Sequence, residues 1–336
     1  MNKWLSLEKE RRITILENIS NQTGLSTTAI EKDWWVTMVL KALYSSSFAE
    51  HISFKGGTSL SKCWNLIERF SEDVDVAIDR EFLGFGGELS KTQISDKLRR
   101  ASCAFSRNVL PNELKNQLLN LGIDEHQYSI NIETTAITTT DPEIIEIHYC
   151  SDYDEDVYIP KRVLIEVSGR SMREPREKVC INSIISNMYS TASFADENFE
   201  INAVSPKRTF LEKAFLLHEE FCKPKGEIRT ERMSRHLYDL EKLANTQIVN
   251  EALNDVLLYY SIVEHRKKFI GLKNFDYTTL LPHSISFVPP SDIIDKWKED
   301  YEKMQSFMIY GSSLPFNELI SRITQLNDKF KQLDFK

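Results

Sequence analysis

The run Asp73-Val-Asp-Val-Ala-Ile78 alternates strictly between charged and apolar residues before closing on two apolar ones. Alternation at period two marks a strand with one face buried. Asp73 and Asp75 then project to one side, while Val74 and Val76 face a core. Upstream, "HISF" (51–54) is short and apolar and reads as a buried strand ended by Gly56-Gly57. From Thr58 the pattern turns helical, with Leu60, Cys63 or Trp64, and Ile67 along one side. Strand, glycine turn, helix and strand therefore follow one another.

Each part of this order carries chemistry. Glycine lets the backbone approach an anion closely and adopt positive φ. A helix starting there directs unsatisfied N–H groups and its positive dipole end at the same point. Gly56, Gly57 and Thr58 are thus a candidate phosphate cradle, although Gly-Gly-Thr alone is equally a tight strand-to-helix turn. Two like charges on one strand face are most easily kept where a divalent cation neutralises them; otherwise they mark a solvated edge strand. Oxygen-only ligands suit Mg²⁺, which takes one or two carboxylates plus substrate phosphates. Two-metal sites place their ions about 3.5–4 Å apart to serve the attacking and leaving oxygens.

Residues 26–45 read as an amphipathic helix opened by a capping box, Thr28 with Glu31. Residues 90–120 read as helical, with Ile94, Leu98, Ala101 or Cys103, and Phe105 inward. Three strands follow, at 128–135, 143–151 and 162–169, with an exposed turn at "SDYDEDVYIPK" between the last two. From about Ser205 the chain is mostly helical, interrupted by "KPKGE" and by "LLPHSISFVPPSD". The expected architecture is α/β (α+β): a mixed sheet flanked by helices over 1–195, then a helical C-terminal domain over 196–336.

Composition excludes several classes. No apolar run approaches the roughly 20 residues needed to span a bilayer. The N-terminus is charged from its first turns and has no secretory h-region. Five scattered cysteines form no Cys-x-x-Cys pair, so neither a zinc site nor a disulfide framework is expected. There is no Gly-x-x-x-x-Gly-Lys-Ser/Thr, and "GFGGE" (84–88) is a loop, not a dinucleotide fingerprint. The net charge of −8 leans towards a small-molecule or protein substrate, without excluding a local basic surface for nucleic acid. "GRSMREPREK" (169–178) and "KPKGEIRTERMSRH" (223–236) concentrate Arg and Lys. They form either a cationic rim for RNA or triphosphate, or loops balanced by neighbouring acids.

"GGTSLSKCWNLIERFSEDVDVAI" resembles the signature of the DNA polymerase β-type nucleotidyltransferases, and more narrowly the bacterial AbiEii/AbiGii toxin family. The Lys-Gly-Gly-Thr turn stands at Lys55–Thr58 and Arg-Phe-Ser-Glu-Asp-x-Asp at Arg69–Asp75. "EKDWWVTMVL" (31–40), "RTFLEKAFLLHEE" (208–220), "RHLYDLEKL" (235–243) and "WKEDYEKM" (297–304) extend the resemblance. It implies a nucleotidyltransferase fold and transfer of an NMP from an NTP to an acceptor hydroxyl, with release of pyrophosphate. Asp73 and Asp75 would bind Mg²⁺, or Mn²⁺ in its place, with a third carboxylate from a neighbouring strand. Glu166, amid the apolar run "RVLIEVSG", is the candidate, and Glu146 is its rival. Lys55, Gly56, Gly57, Thr58, Ser71 and Lys213 would bind the nucleotide. Asp239 would share the active cleft, expected between the two domains, orienting Lys213 or Arg235 or serving as a base. His218 and His236 read as packing or supporting residues.

The resemblance further implies a cytoplasmic bacterial toxin with a separately encoded antitoxin and a role in phage defence. The tRNA 3′ end would be the acceptor. A small-molecule or protein acceptor, and a non-catalytic nucleotide-binding module, are the alternatives.

Overall fold

A computed structural model describes residues 2–71, 73–133, 143–153 and 159–335. The chain forms two units, Met1–Cys63 with Phe70–Val204, and Trp64–Arg69 with Ser205–Lys336.

The first unit contains α1 (Lys9–Thr23), α2 (Thr27–Tyr44), β1 (Ile52–Lys55), α3 (Gly56–Lys62) and β2 (Asp73–Ile78). It continues through α4 (Arg99–Asn108), α5 (Leu110–Asn120), β3 (Tyr128–Glu133), β4 (Ile144–Tyr149) and β5 (Arg162–Ser168). It closes with β6 (Arg176–Ile181), α6 (Ile184–Met188) and β7 (Phe199–Val204). Among the described residues the strands form one seven-stranded sheet in the order β3-β4-β5-β2-β1-β7-β6. β2 runs parallel to β5 and β1 parallel to β7, the other pairings being antiparallel. The mixed sheet with flanking helices is as expected. The expected domain boundary at 195/196 lies just before β7, whose pairing with β1 and β6 carries the first unit on to Val204.

Burial fixes the register. Phe54, Val74, Val76, Val163, Ile165 and Val167 are each at most 2% exposed and join one core. Each such side chain contributes about 1.5–3 kcal/mol. A one-residue slip of β2 would drive Asp73 and Asp75 into that core, so the alternation read from the sequence has one permitted pairing. α2, apolar almost all round, packs against β5, β7, α1 and α5.

Three local expectations are corrected. The N-cap of α2 is Ser26, which accepts from Ala29 N–H at 3.2 Å. Glu31 is turned away from the expected capping box to Ser151 Oγ at 2.5 Å. The helix after the glycine turn ends at Lys62, well before Ile67. β6 and β7 were not anticipated, because β6 is an exposed edge with little apolar pattern. Residues 134–135 of the third expected strand, and much of the turn at 151–161, fall outside the described residues.

The second unit is helical: α7 (Pro206–Phe221), α8 (Ser234–Ala244), α9 (Gln247–Asn254), α10 (Val256–His265), α11 (Ile294–Phe307) and α12 (Phe316–Lys331). α7, opened by a proline at its first position, packs against α8, α9 and α10. His218 on α7 is 4% exposed; its Nδ1 accepts from Ser286 N–H at 2.9 Å, and Nε2 lies 2.9 Å from Thr279 Oγ1. Burial pushes its pKa down, partly offset by the Ser286 carbonyl and Glu219. Burial also holds His236 well below the ordinary histidine value, helped by Lys213 and Arg235.

Both imidazoles are depressed in the folded state, so the unfolded chain takes up their protons first as pH falls. Their stabilisation is complete above the unfolded pKa of about 6.5 and is lost in more acid solution. Urea melts at pH 7 and pH 5 are expected to show that loss, at most about 1.4 kcal/mol per pH unit per histidine. His218→Gln, which keeps a donor and an acceptor, is expected to flatten the dependence by roughly half, one of two such protons being removed.

Candidate active site

The first unit brings the predicted carboxylates onto one face of the sheet. β1, β2 and β5 lie side by side, with Lys55 paired to Asp75 and Asp75 paired to Glu166. Paired residues on neighbouring strands share a face, so Lys55, Asp75 and Glu166 form one row, with Asp73 a pleat away opposite Leu164. Asp73, Asp75 and Glu166 are all partly exposed, whereas Val74, Val76, Ile165 and Val167 beneath them are buried.

Glu146, the rival third carboxylate, faces Leu164 from β4 and is thus two strands from Asp73, roughly 9.5 Å at ordinary strand spacing. Its carboxylate is already bound, by Arg162 Nη1 at 2.7 Å and by His148 Nε2 at 2.7 Å. The geometry favours Glu166.

The glycine turn closes onto this row. Gly56 has φ +84°, and a Cβ built on it would collide with the Asp75 carboxylate. Glycine is therefore required twice, for the left-handed backbone and for the close approach. Thr58 Oγ1 donates to Ser71 Oγ at 2.9 Å, tying the start of α3 to the segment before β2.

This oxygen-only set of carboxylates on one sheet face suits a hard divalent cation. Among the described residues, no three His, Cys, Asp or Glu side chains stand close enough to hold a metal by themselves. The three-carboxylate set is therefore not closed, and substrate phosphates are the natural source of further oxygens.

In the second unit, Asp239 on α8 is fully buried and Lys213 on α7 meets it, Nζ to Oδ2, at 2.8 Å. Arg69, part of the Arg-Phe-Ser-Glu-Asp-x-Asp motif, grips the same carboxylate with both arms. Its Nε lies 2.7 Å from Oδ1 and its Nη2 lies 2.8 Å from Oδ2. Burial by itself would raise the Asp239 carboxyl, but the charges of Arg69 and Lys213 outweigh it and hold the group well below the carboxylate range. Burial pushes the Lys213 ammonium down; Asp239 opposes that shift and Arg69 adds to it.

Neither residue lies on a solvent-facing helix surface. Glu212 pairs with Arg208, Glu219 with Arg266, and Lys242 with Glu68. A carboxylate whose two oxygens are engaged by cations is a poor base, so Asp239 is better suited to orienting Lys213.

The two basic stretches are largely balanced by acids. Lys223 and Arg229 converge on the buried Glu220, Lys225 meets Asp292, Arg173 meets Asp79 and Arg176 meets Glu174.

Against known families, residues 39–322 match the model described as "Nucleotidyl transferase AbiEii toxin, Type IV TA system". The chain belongs to this family. It is accordingly a nucleotidyltransferase of a family of type IV toxin–antitoxin toxins. No curated protein matches the sequence.

Among solved structures, the fold is similar to MenT4, a nucleotidyltransferase toxin from Mycobacterium tuberculosis. The TM-score is 0.51 at 14% identity, covering 95% of this chain and 90% of that one. A Helicobacter pylori protein matches at TM-score 0.45 and 16% identity over 92% of this chain and 96% of its own. JHP933, also from Helicobacter pylori, matches at 0.44 and 15% over 92% and 94%. The last two likenesses are too distant to carry an argument. No helix among the described residues is long and apolar enough to cross a membrane.

Proposed function

We propose that this AbiEii-family nucleotidyltransferase transfers an NMP from an NTP to the 3′ end of tRNA in the bacterial cytoplasm. It would arrest growth until a separately encoded antitoxin counters it, in the setting of phage defence. The observation that carries the chemical part is the row Lys55–Asp75–Glu166, with Asp73 beside it and Gly56 against Asp75.

Asp73 and Asp75, with Glu166 as the third carboxylate, would hold Mg²⁺ or Mn²⁺. When bound, such a cation neutralises charge on the reacting phosphate and lowers the pKa of an attacking hydroxyl. Gly56, Gly57 and Thr58 offer backbone N–H groups to phosphate oxygens, with Lys55 and Ser71 at the margins of the same turn. Lys213 would supply a cation for charge developing on the phosphates, with Asp239 holding its ammonium in place. The acceptor hydroxyl gives its proton to water and its oxygen forms a bond to the α-phosphorus as the bond from that phosphorus to the bridging oxygen breaks, and pyrophosphate leaves.

The balanced basic stretches and the net charge of −8 favour a second reading, in which a small hydroxylated molecule or a protein side chain is the acceptor. One experiment separates the two. Purified protein with Mg²⁺, each α-labelled NTP in turn and total bacterial tRNA is expected to label tRNA. Label entering protein or small molecules instead would replace the acceptor and leave the chemistry. No incorporation into any fraction would sink the transferase mechanism as assigned to these residues.

A further inference from the structure

Lysine is a mobile point charge on a four-carbon stem, poorly suited by itself to fixing a phosphate oxygen. In the second unit its freedom is removed. Asp239 Oδ2 is shared between Lys213 Nζ and Arg69 Nη2, each at 2.8 Å, while Arg69 Nε takes Oδ1 at 2.7 Å. A bidentate arginine sets the plane of a carboxylate as well as its position, so the direction in which Oδ2 faces Lys213 is fixed by Arg69. The side chains of Arg69, Asp239 and Lys213 are 2%, 0% and 9% exposed.

Arg69 is itself anchored through its backbone. Residue 69 bridges Ile309, and Glu68 O accepts from Tyr310 N–H at 3.1 Å and Gly311 N–H at 3.2 Å. Glu68 Oε2 meets Lys242 Nζ at 2.7 Å, and any side chain at Gly311 would run into Glu68. The guanidinium therefore stands on a backbone held from several directions, none of which uses the guanidinium.

The donors of Lys213 indicate what the arrangement is for. An ammonium has three donors, and the Asp239 carboxylate is the partner that Lys213 shows among the described residues. Lys213 is also the least buried of the three side chains, so its ammonium is the group of the cluster that a phosphate oxygen can reach.

We propose that Arg69 is a positioning residue for Lys213, acting through Asp239, so that the ammonium presents its remaining donors to a nucleotide phosphate. This rests on the reading of Lys213 as a phosphate contact. The test is a double-mutant cycle read by calorimetric titration with each of the four NTPs and Mg²⁺, which does not depend on the acceptor.

Lys213→Met is expected to weaken the tightest NTP by about tenfold or more, the low end for a hydrogen bond to a charged group. Arg69→Met is expected to do the same, and Arg69→Lys, which keeps charge but loses the fork, to lie between it and wild type. The variant carrying both Arg69→Met and Lys213→Met is expected to bind no worse than Lys213→Met alone, because the two act as one unit. Circular dichroism melts establish that each protein is folded; should Arg69→Met not fold, Arg69→Lys carries the cycle.

Unchanged binding in Lys213→Met would remove the phosphate role of Lys213, and this inference with it. A tenfold loss in Lys213→Met with a further, additive loss from Arg69 would overturn the positioning role alone.

Discussion

Asp75→Asn is expected to lower nucleotidyl transfer by about three orders of magnitude, the rate equivalent of the several kcal/mol that a catalytic cation supplies. The same substitution should leave the fold intact. Asparagine has the shape of aspartate, so the close packing against Gly56 is preserved. Asp75 also lies directly opposite Glu166 across β2 and β5, and like charges so placed destabilise a sheet. Without divalent ions the variant is expected to be as stable as wild type or more so, by up to about 1 kcal/mol.

Adding Mg²⁺ together with an NTP should raise the melting temperature of wild type and shift that of Asp75→Asn much less. Glu146→Gln is the internal control. Its carboxylate belongs to Arg162 and His148, so transfer should fall by no more than a few-fold, since removing a partly exposed pair costs about 1 kcal/mol or less. A folded Asp75→Asn protein that retains transfer would remove the carboxylate row from the mechanism. Equal losses in both variants would show that the sheet face, and not the pair of aspartates, is what matters.

The carboxylate row was legible because it depends on local rules. Alternation in Asp73–Ile78 sets the face of each side chain, and a glutamate in the middle of "RVLIEVSG" marks a buried strand with one unusual position. Neighbouring strands then only had to pair in register for Asp75 to meet Glu166.

What was not legible depends on distant partners. Leu60, Trp64 and Ile67 have helical spacing, yet α3 ends at Lys62 and Asn65 takes φ +50°. The chain there joins the second unit, and the anchoring of Glu68 and Arg69 overrides the local preference. Arg69 itself finds its carboxylate 170 residues away. Nothing near "ERFSED" announces that its arginine belongs to Asp239, although an arginine in an otherwise acidic stretch asks for a partner. The two basic stretches stayed open between a cationic rim and balanced loops because only part of the balance is local: Glu174 and Glu220 are neighbours in sequence, whereas Asp79 and Asp292 lie on distant segments.

The same distant partnership gives the largest expected effect on stability. Asp239→Asn should destabilise the protein by about 3–5 kcal/mol, the usual cost of removing one member of a buried ion cluster. The amide keeps the size of the carboxylate but turns one of its oxygens into a donor. Arg69 and Lys213 then face each other with nothing between them to offset their charge. An exposed pair such as Lys298 with Glu302 on α11 provides the contrast, since breaking it should cost about 0.5 kcal/mol or less.

Desolvation, not ion pairing as such, decides this difference, and that can be tested directly. Replacing Arg69, Lys213 and Asp239 together by Met, Met and Leu removes the stranded charges along with the attraction. The triple variant is expected to recover most of the stability lost by Asp239→Asn, because well-packed apolar residues often match a buried ion cluster.

The pH dependence has a fixed sign. The folded Asp239 carboxyl lies below its ordinary value, so its contribution is present above an unfolded pKa of about 3.9 and is lost in more acid solution. The gap between wild type and Asp239→Asn in urea melts should therefore narrow as pH falls below about 4. A cost below about 1 kcal/mol at pH 7 would place the carboxylate in contact with water. The cluster would then have no means of holding Lys213 in one position.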